Sequence, residues 1–498
     1  MNCGRSEPIV DGEATSDGEA MSAAAEVYTP EIAVRTLRRG RGDPAWWIRS
    51  TLGDDPWPAQ VEIMESVRDN RETSVKSCQG AGKSWNASRL VLWFLYNWAP
   101  SIVLTTAPTD RQVRGILWKE IRLAHRRSPM LGGECLTERL ELAPDHWALG
   151  FTAPEYDPEK MTGFHEENML FVVEEAAGVS KLIDEGIESL LTSANSRKLQ
   201  IGNPTDPQSA FADSFKQSDV SKISISAFDT PNFTEFGITE QDIASGGWRE
   251  KIGARPLPRP KLVTPEWVAR RFKRWGKDSP MYKARVLAEF PEQGANNLIP
   301  LAWIEAAAAR SLEPGEPNEL SSDVARGGGD ESVIGHRRGP VYRTRWSSYT
   351  NELMQLTGEI TRAMIETGAK RARVDEVGVG GGVVDRMREL GRPVVGMNGG
   401  RKKGVDTERF VNERAEMFWN LRERFDPATL PLIDIDPDEQ ELHAQLASIP
   451  YKTNSAGQIY IMPKEEMKTK LGLTSPDRAD TLAQAYARVS TTGEVRIW

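Results

Sequence analysis

The sequence predicts an α/β protein in which two separate domains each contain a sheet. Between Pro44 and Pro207, runs of β-forming residues alternate with helical patterns, which is typical of a parallel sheet with helices on its faces. A second α/β pattern begins near Leu320, after a stretch without regular periodicity. With 498 residues, of which 39% are hydrophobic and 27% charged, the chain is long enough for two or three domains with their own cores.

These patterns divide the chain into four segments. Residues 1–35 lack apolar periodicity and are rich in Gly, Ala, Ser and acidic residues, so we expect a flexible tail. We expect the first α/β domain over residues 36–207, a linker subdomain over 208–305 and the second α/β domain over 306–498. The linker contains a Pro-rich segment followed by a basic helix that includes Trp267 and Trp275.

The composition argues against a membrane protein, a disulfide framework and a zinc site. The most apolar run, Leu90 to Tyr96, is too short to span a bilayer, and the N-terminus lacks the basic and apolar pattern of a signal peptide, so we expect a cytoplasmic protein. The three cysteines have no CxxC spacing. The net charge of −9 decides little about nucleic acid, because acidic metal sites lower the total while local basic patches still contact phosphates.

Residues 77–84, with the sequence SCQGAGKS, predict a nucleotide-binding phosphate loop. Such a loop needs backbone N–H groups that converge on phosphate oxygens at a helix N-terminus, a lysine for the β- and γ-phosphates and a hydroxyl for magnesium. The residues expected to supply these parts are Ser77, Gly80, Gly82, Lys83 and Ser84. Ser77 stands where a glycine is usual, and the alternative is an ordinary turn before a helix.

The surroundings of this loop favour the nucleotide site. Gln60 follows Trp57 and Pro58, where many helicase-like ATPases use a glutamine to read adenine. An apolar strand leads into Glu174, expected to hold magnesium through water, and Glu175, expected to act as general base on the attacking water. Asn203 ends another strand, where a short polar side chain can sense the γ-phosphate. The alternatives are an acidic helix N-cap for the two glutamates and a plain turn at Asn203.

Aspartates in the second half predict a metal-dependent nuclease. Two-metal cleavage of a phosphodiester needs three or four carboxylates from different elements. Asp323 and Asp375 each end a strand, while Asp477 and Asp480 begin a helix at a spacing that puts both on one face. Each aspartate alone could be a cap or turn residue, but three such placements in order favour catalytic metal ligands. Asp330 is either a turn residue or an outer partner of the site.

Taken together, these motifs resemble the large terminase subunit of tailed bacteriophages over about residues 45–490. The resemblance is carried by the segments DDPWPAQ at 54–60, GKS at 82–84, GNPT at 202–205, DVARGGGD at 323–330 and SPDRAD at 475–480. It implies a P-loop ATPase domain with a parallel sheet, a linker subdomain and an RNase H-like α/β nuclease domain. It further implies ATP, Mg²⁺ or Mn²⁺, concatemeric double-stranded viral DNA, a small terminase subunit, a portal protein and a homo-oligomeric ring on the procapsid in the host cytoplasm.

Two positions depart from that family's pattern. Gln79 stands where many members carry an arginine, so another arginine must stabilise the transition state; the candidates are Arg111, Arg114, Arg139 and Arg197, acting in the same or a neighbouring subunit. Glu174 stands where an aspartate is usual. A nuclease-helicase of DNA repair or phage defence is the alternative function, and a nucleotide-regulated scaffold that binds DNA without cutting is a third.

Overall fold

The computed structural model describes residues 30–488, except residues 153–163, 292–296, 326–329, 350–351, 403–404, 455–456 and 472. Most of the predicted tail, up to residue 29, therefore lies outside the described residues, as does the glycine-rich turn at 326–329. The described chain begins with a helix, Pro30–Gly42.

An eight-stranded sheet organises the first half of the chain. Its strands are β1 (Glu72–Ser77), β2 (Ile102–Ala107), β3 (Glu134–Cys135), β4 (Arg139–Ala143), β5 (His146–Thr152), β6 (Asn168–Glu174), β7 (Asn195–Gly202) and β8 (Ser221–Ile225). They lie in the order β3-β4-β5-β2-β6-β7-β1-β8, and the six strands from β5 to β8 in that order are parallel. Because β6, β7 and β1 are neighbours, the predicted site residues that follow them meet at one edge of the sheet.

A five-stranded sheet organises the second half. Its strands are β9 (Asn318–Asp323), β10 (Ser332–Arg338), β11 (Val341–Ser348), β12 (Ala372–Asp375) and β13 (Val394–Met397). The order is β11-β10-β9-β12-β13, with β9 to β11 antiparallel and β9, β12 and β13 parallel. Strands β9 and β12 therefore end at the same edge. A separate hairpin pairs β14 (Tyr451–Thr453) with β15 (Ile459–Ile461). The predicted α/β class is confirmed in both halves.

Helices cover the sheets and connect them. After Pro30–Gly42, the α-helices are Pro44–Trp47, Pro58–Asp69, Lys83–Asn97, Trp118–Arg127, Lys181–Leu190, Ala210–Ser214, Pro231–Thr234, Glu240–Ser245, Trp248–Ile252, Pro265–Trp275, Pro280–Tyr282, Leu301–Ala309, Leu353–Thr367, Gly380–Glu389, Glu413–Phe425, Gln440–Ala447, Lys464–Leu471 and Asp477–Ala485. Wider π-helical turns span Ile48–Leu52, Arg111–Leu117 and Lys283–Leu287. Among the described residues, no helix combines the length and the apolar character needed to cross a membrane.

The region predicted as a linker is more regular than its sequence pattern indicates. Strand β8 pairs in parallel with β1, and its alternating burial, with Ile223 and Ile225 inside, matches a half-buried edge strand. Residues 231–287 then form short helices that pack onto both halves. One hydrophobic cluster runs through the molecule, from Leu90 of the first half through Tyr282 to Leu442 of the second. The linker therefore holds the two sheets on a shared core.

Two candidate active sites

The phosphate loop has the backbone that its glycines predict. Gly80 and Gly82 have φ angles of 77° and 85°, in the left-handed region that favours glycine. A Cβ atom at Gly82 would lie 2.7 Å from Nε2 of Gln60, so no larger residue fits there without displacing that side chain. The loop runs directly into the helix Lys83–Asn97, whose first backbone N–H groups have no partner within the helix. This arrangement is suited to binding an anion.

Lys83 lies between an amide and a carboxylate at the edge of the sheet. Its Nζ donates to Oδ1 of Asn203 at 3.1 Å and lies 3.6 Å from Oε1 of Glu175. Asn203 in turn donates through Nδ2 to the carbonyl oxygen of Ser77 at 2.6 Å. Four residues expected in the nucleotide site, from three different strands and the loop, are therefore in one connected group. Asn203 links the beginning of the loop to its lysine.

Ser84 and Glu174 lie behind the lysine. The Ser84 hydroxyl donates to Oε1 of Glu174, whose side chain is fully buried at the end of β6. Burial disfavours the charged carboxylate and raises the pKa of Glu174 to about 7, although the hydrogen bond from Ser84 opposes this. Oε2 of Glu174 is buried and has no hydrogen-bond partner among the described residues. A hydroxyl beside such a carboxylate is a fitting donor set for Mg²⁺.

Glu175 has a backbone conformation that is uncommon outside glycine. Its φ angle is 48°, a conformation that costs about 1–3 kcal/mol in a residue with a side chain. Gly202 makes this turn possible, since a Cβ atom there would lie 2.9 Å from the backbone nitrogen of Ala176. The Glu175 side chain does not cap the short helix that follows, and it points to Lys83 instead. An acidic helix cap therefore does not describe this residue.

Gln60 is held against the phosphate loop. Its side chain is buried; Nε2 donates to the carbonyl oxygen of Gly82 at 3.5 Å, and Oε1 accepts from the backbone nitrogen of Trp57 at 3.3 Å. Both ends of the amide are engaged within the protein. Reading of adenine by Gln60 would require these hydrogen bonds to be exchanged.

The four arginines considered from the sequence are unevenly placed. Arg197 begins β7, at the far end from the phosphate loop, and donates to the carbonyl oxygens of Val67 and Asn70. Arg139 pairs with Glu141, and Arg114 pairs with Glu138. Arg111 lines the same cavity as Lys83 and pairs with Asp438 at 3.3 Å. Among these four, only Arg111 lies on that cavity.

A cavity of about 1640 Å³ opens beside the phosphate loop. Lys83, Glu175 and Asn203 line it from the first half of the chain, and Asp438 lines it from the second. Arg285, which belongs to the linker and was not singled out in the sequence, lines it as well. The cavity is large enough to hold a nucleotide.

In the second half, three of the predicted aspartates surround one lysine. Nζ of Lys464 lies 2.8 Å from Oδ2 of Asp323, 3.2 Å from Oδ1 of Asp477 and 3.0 Å from Oδ2 of Asp480. Asp375 completes the cluster, since its side chain shares a hydrogen bond with Asp323. The ends of β9 and β12 and the beginning of the helix Asp477–Ala485, here named the carboxylate helix, therefore bring all four residues together.

Local packing fixes these positions. Asp375 accepts a hydrogen bond at Oδ1 from the backbone nitrogen of Val377 at 3.0 Å, in the turn after β12. Gly380 begins the next helix so close to this turn that a Cβ atom would lie 1.8 Å from the carbonyl oxygen of Asp375. Asp477 accepts from the backbone nitrogen of Glu331 at 2.8 Å and from the Ser475 hydroxyl at 2.5 Å. Asp477 thus holds neighbouring chain segments in place.

The charges of the cluster are strongly perturbed. Burial, reinforced by the neighbouring aspartates, raises the pKa of Asp323 well above its usual range, and burial also raises the pKa of Asp375. Burial acts on Asp480 too, but Arg414, at 3.2 Å, and Lys464 outweigh it, so the pKa of Asp480 is lowered. Two cationic side chains thus compensate the crowded carboxylates.

The carboxylate cluster is chemically suited to a hard divalent cation. All its ligand atoms are carboxylate oxygens, which Mg²⁺ and Mn²⁺ prefer, and Oδ2 of Asp480 is contacted by the ammonium group of Lys464, whose place a cation can take. In the described part of the chain, however, no three acidic, histidine or cysteine side chains stand at metal-ligand spacing. Lys464 lies between the carboxylates, so its ammonium group must shift to admit a cation.

Asp330, the further candidate, and two histidines of the second half lie outside this cluster. Asp330 pairs with Lys468 at 2.7 Å. Nε2 of His336 lies 2.8 Å from Oδ1 of Asn318, and Nε2 of His443 lies 2.9 Å from the carbonyl oxygen of Asp436. Lys464 and Arg414 had no sequence signal, because a lysine or arginine on a helix is ordinarily a surface residue.

One short helix contacts both sites. The helix Gln440–Ala447, here named the bridging helix, begins with Gln440, whose Nε2 donates to Oε1 of Gln79 in the phosphate loop at 3.3 Å. Near its end, Oε1 of Gln445 accepts from the backbone nitrogens of Arg478 and Ala479 at 3.0 and 3.1 Å. Gln445 therefore satisfies N–H groups at the beginning of the carboxylate helix.

Comparison with known proteins gives a consistent relationship. No family model matches the chain. A protein described as "Probable terminase, large subunit" from Enterobacteria phage P7 is 28% identical over 488 residues, covering 88% of this chain and 92% of the relative.

Solved structures give more remote likenesses. The nuclease domain of the large terminase subunit gp2 of bacterial virus Sf6 is 23% identical, covers 39% of this chain and 99% of its own, and has a TM-score of 0.35. A large terminase from a thermophilic bacteriophage is 10% identical, covers 86% and 98% of the two chains, and has a TM-score of 0.39. The sequence relationship to the phage P7 protein covers most of both chains, whereas the structural likenesses are weak. This chain is therefore similar, over most of its length, to a probable large terminase subunit of a bacteriophage.

Proposed function

We propose that this protein uses ATP hydrolysis to move double-stranded viral DNA into a procapsid and cuts concatemeric DNA with a metal-dependent nuclease. The observation that carries the proposal is the presence of two phosphate-chemistry sites on one core. A phosphate loop lies at the ends of β1, β6 and β7, and a buried carboxylate cluster lies at the ends of β9 and β12.

In the first site, the chain's own groups account for binding and hydrolysis. The loop N–H groups and Lys83 bind the β- and γ-phosphates, and Lys83 exchanges its contact with Asn203 for a phosphate oxygen. Ser84 and Glu174 hold Mg²⁺, which neutralises charge that develops on the phosphates. Glu175 orients the attacking water and accepts its proton. Its link to Lys83 keeps the carboxylate close to the γ-phosphate.

Asn203 is suited to report hydrolysis to the rest of the molecule. It is buried at the end of β7 and connects the carbonyl oxygen of Ser77 to Lys83. When phosphate leaves, Lys83 regains its contact with Asn203, so the beginning and end of the loop are linked again. The contact between Lys83 and Asn203 would thus be broken when phosphate is bound and restored when phosphate leaves. Coupling of hydrolysis to movement requires such a switch between two states.

In the second site, Asp323, Asp375 and Asp480 hold the divalent cations, with Asp477 as the residue that positions the carboxylate helix. When bound by these carboxylates, Mg²⁺ or Mn²⁺ would supply an activated water and stabilise charge on the scissile phosphate. Lys464 compensates the carboxylates before the cations bind and remains available as a cation for the DNA backbone. Arg414 keeps Asp480 in its charged form.

The proposed setting follows from the same assignment. The protein works with a small terminase subunit and a portal protein, as a homo-oligomeric ring on the procapsid in the host cytoplasm. A nuclease-helicase is disfavoured because such enzymes usually carry a second domain like the first. The second half here has a mixed five-stranded sheet, with three antiparallel strands, in place of a second parallel one.

The test compares three activities of the full chain on defined DNA. We expect phosphate release from ATP that duplex DNA stimulates, cleavage of plasmid DNA that needs Mg²⁺ or Mn²⁺ and stops in EDTA, and no strand separation of a forked duplex. Unwinding of the fork would favour the nuclease-helicase. Binding of DNA without cleavage under any metal condition would favour the scaffold.

A further inference from the structure

Gln79 of the phosphate loop is contacted by an arginine from the linker. Nη1 of Arg285 donates to Oε1 of Gln79 at 3.2 Å, and the backbone nitrogen of Gln79 donates to the carbonyl oxygen of Arg285 at 2.8 Å. The turn Lys283–Leu287 is therefore attached to the loop by both its backbone and its side chain. This docking sets the guanidinium on the same cavity as Lys83 and Glu175.

The guanidinium of Arg285 is buried and incompletely satisfied. Its side chain is 12% exposed, and Nη2 donates to Oε1 of Glu305 at 2.5 Å. Its Nε is buried without a hydrogen-bond partner among the described residues. Leaving a donor of a charged group unpaired is costly, so this atom favours an additional acceptor. A phosphate oxygen is the acceptor that a guanidinium binds most specifically.

Glu305 holds the arginine in this position. It belongs to the helix Leu301–Ala309 and lies on the same cavity. Burial alone would raise the pKa of Glu305, but the neighbouring positive groups, above all Arg285 and also Lys83, lower it, so Glu305 stays charged. The charged carboxylate of Glu305 holds the guanidinium of Arg285 in place while no nucleotide is bound. When a nucleotide binds, the guanidinium can exchange this carboxylate for a phosphate.

We propose that Arg285, supplied by the linker, contacts the terminal phosphate of a bound nucleoside triphosphate and stabilises the charge that develops there during hydrolysis. This inference rests on the proposed ATPase function. Gln79 lies in the phosphate loop but has no charge to stabilise the transition state. The proposal gives this role to an arginine from the linker of the same chain. Glu305 is a positioning residue, because it acts on the phosphate through Arg285.

Arg111, the sequence candidate that also lines this cavity, has weaker geometry. Arg111 is 61% exposed, and its partner Asp438 is 76% exposed. An exposed pair of this kind is worth little and leaves the side chain free to rotate. Arg111 is therefore a matched control: it is an arginine on the same cavity whose partner is an exposed carboxylate, and the described residues show no hydrogen bond or ion pair between it and the phosphate loop.

The test measures steady-state ATP hydrolysis and equilibrium binding of ADP and the β,γ-imido analogue of ATP. We expect Arg285→Ala to lower kcat by about 10³-fold, as loss of a transition-state arginine does. We expect the same substitution to weaken binding of the triphosphate analogue by at least about tenfold, while the affinity for ADP changes by less than about threefold. Arg285→Lys should not restore kcat, because a lysine lacks the planar fork of donors. Arg111→Ala should retain wild-type values.

A second variant keeps the test decisive if Arg285→Ala does not fold. Arg285→Gln retains a donor for Gln79 and Glu305 and should show the same selective loss of kcat and triphosphate affinity. Wild-type hydrolysis by either variant, or equal losses for ADP and the triphosphate analogue, would overturn the role of Arg285. Absence of hydrolysis by the wild-type protein would instead overturn the proposed ATPase function.

Discussion

The phosphate loop and the carboxylate cluster lie at corresponding places in two different sheets but present opposite charges. Each lies where parallel strands end, and each contains a lysine in contact with carboxylate groups. In the first site, the positive charge of Lys83 adds to the partial positive charges of the backbone N–H groups around it, so all of them attract an anionic ligand. In the second site, Lys464 compensates the carboxylates, so a metal cation must compete with it. The same residue type therefore assists one ligand and opposes the other.

The largest effect is expected at the general base of the first site. Glu175→Gln keeps the shape of the side chain and loses the base, so nucleotide should bind while hydrolysis falls by about 10²–10⁴-fold. Phosphate release and binding of the triphosphate analogue, measured on the same preparation, check this result. Glu174→Gln is the comparison variant: its carboxylate contacts Ser84 and is proposed to hold Mg²⁺, so it should weaken binding of the triphosphate analogue as well as hydrolysis. Near-normal hydrolysis in Glu175→Gln would assign the base to Glu174.

The two aspartates of the carboxylate helix should differ in their effects on cleavage. Oδ2 of Asp480 is buried and lies 3.0 Å from Nζ of Lys464, a cation that a metal can replace, so Asp480→Ala should lose nearly all cleavage. Asp477 accepts hydrogen bonds from Glu331 and Ser475 and so positions the helix. Asp477→Ala should therefore lower the cleavage rate by about 10- to 100-fold, as loss of a residue that positions metal ligands does. A manganese titration of plasmid cleavage distinguishes them, because only Asp477→Ala should be rescued by excess metal. Rescue of Asp480→Ala alone would reverse the assignment.

Replacement of Lys464 should raise the affinity for metal and lower the stability of the metal-free protein. Lys464→Met removes the cation that competes with metal, so Mn²⁺ should bind about tenfold more tightly. Without metal, the uncompensated carboxylates should destabilise the protein by about 1–3 kcal/mol. Calorimetric metal binding and thermal melting in EDTA measure the two quantities. Lys468→Met is the control, since Lys468 pairs with Asp330 outside the cluster. Weaker metal binding in Lys464→Met would contradict competition.

The smallest effect is expected at the bridging helix. Gln445→Ala leaves the backbone nitrogens of Arg478 and Ala479 without their acceptor and should cost about 1 kcal/mol at the beginning of the carboxylate helix. We expect cleavage to fall several-fold while ATP hydrolysis stays at the wild-type rate. Plasmid cleavage and phosphate release on one preparation check this. An equal fall in both activities would mean that Gln445 supports the fold as a whole.

Local sequence signals predicted the parts of both sites that follow strands. Glu174, Asn203, Asp323 and Asp375 each stand at the end of a strand expected from the sequence, and parallel pairing brings such ends together without further information. The α/β class followed from the same alternation. Strand β8 was not predicted, because a five-residue edge strand with half its residues exposed carries little signal.

The charges that complete each site could not be predicted in this way. Lys464 is 141 residues from Asp323, and Arg285 is 206 residues from Gln79, so only the packing of the domains brings them together. Neither belongs to a motif, and a cationic residue on a helix or turn ordinarily predicts a solvated surface. The missing loop arginine at Gln79 was visible in the sequence, but Arg285 was not among the four arginines considered in its place.

The separation of the two sites is tested most directly by ATP hydrolysis and plasmid cleavage in Lys83→Ala and Asp375→Ala, each measured on the same preparation. Lys83→Ala should lose hydrolysis and retain metal-dependent cleavage, because the side chain of Lys83 contacts Asn203 and Glu175 at the edge of the first sheet. Asp375→Ala should lose cleavage and retain hydrolysis. Loss of both activities in either variant, with unchanged thermal melting, would contradict two chemically separate sites on one chain.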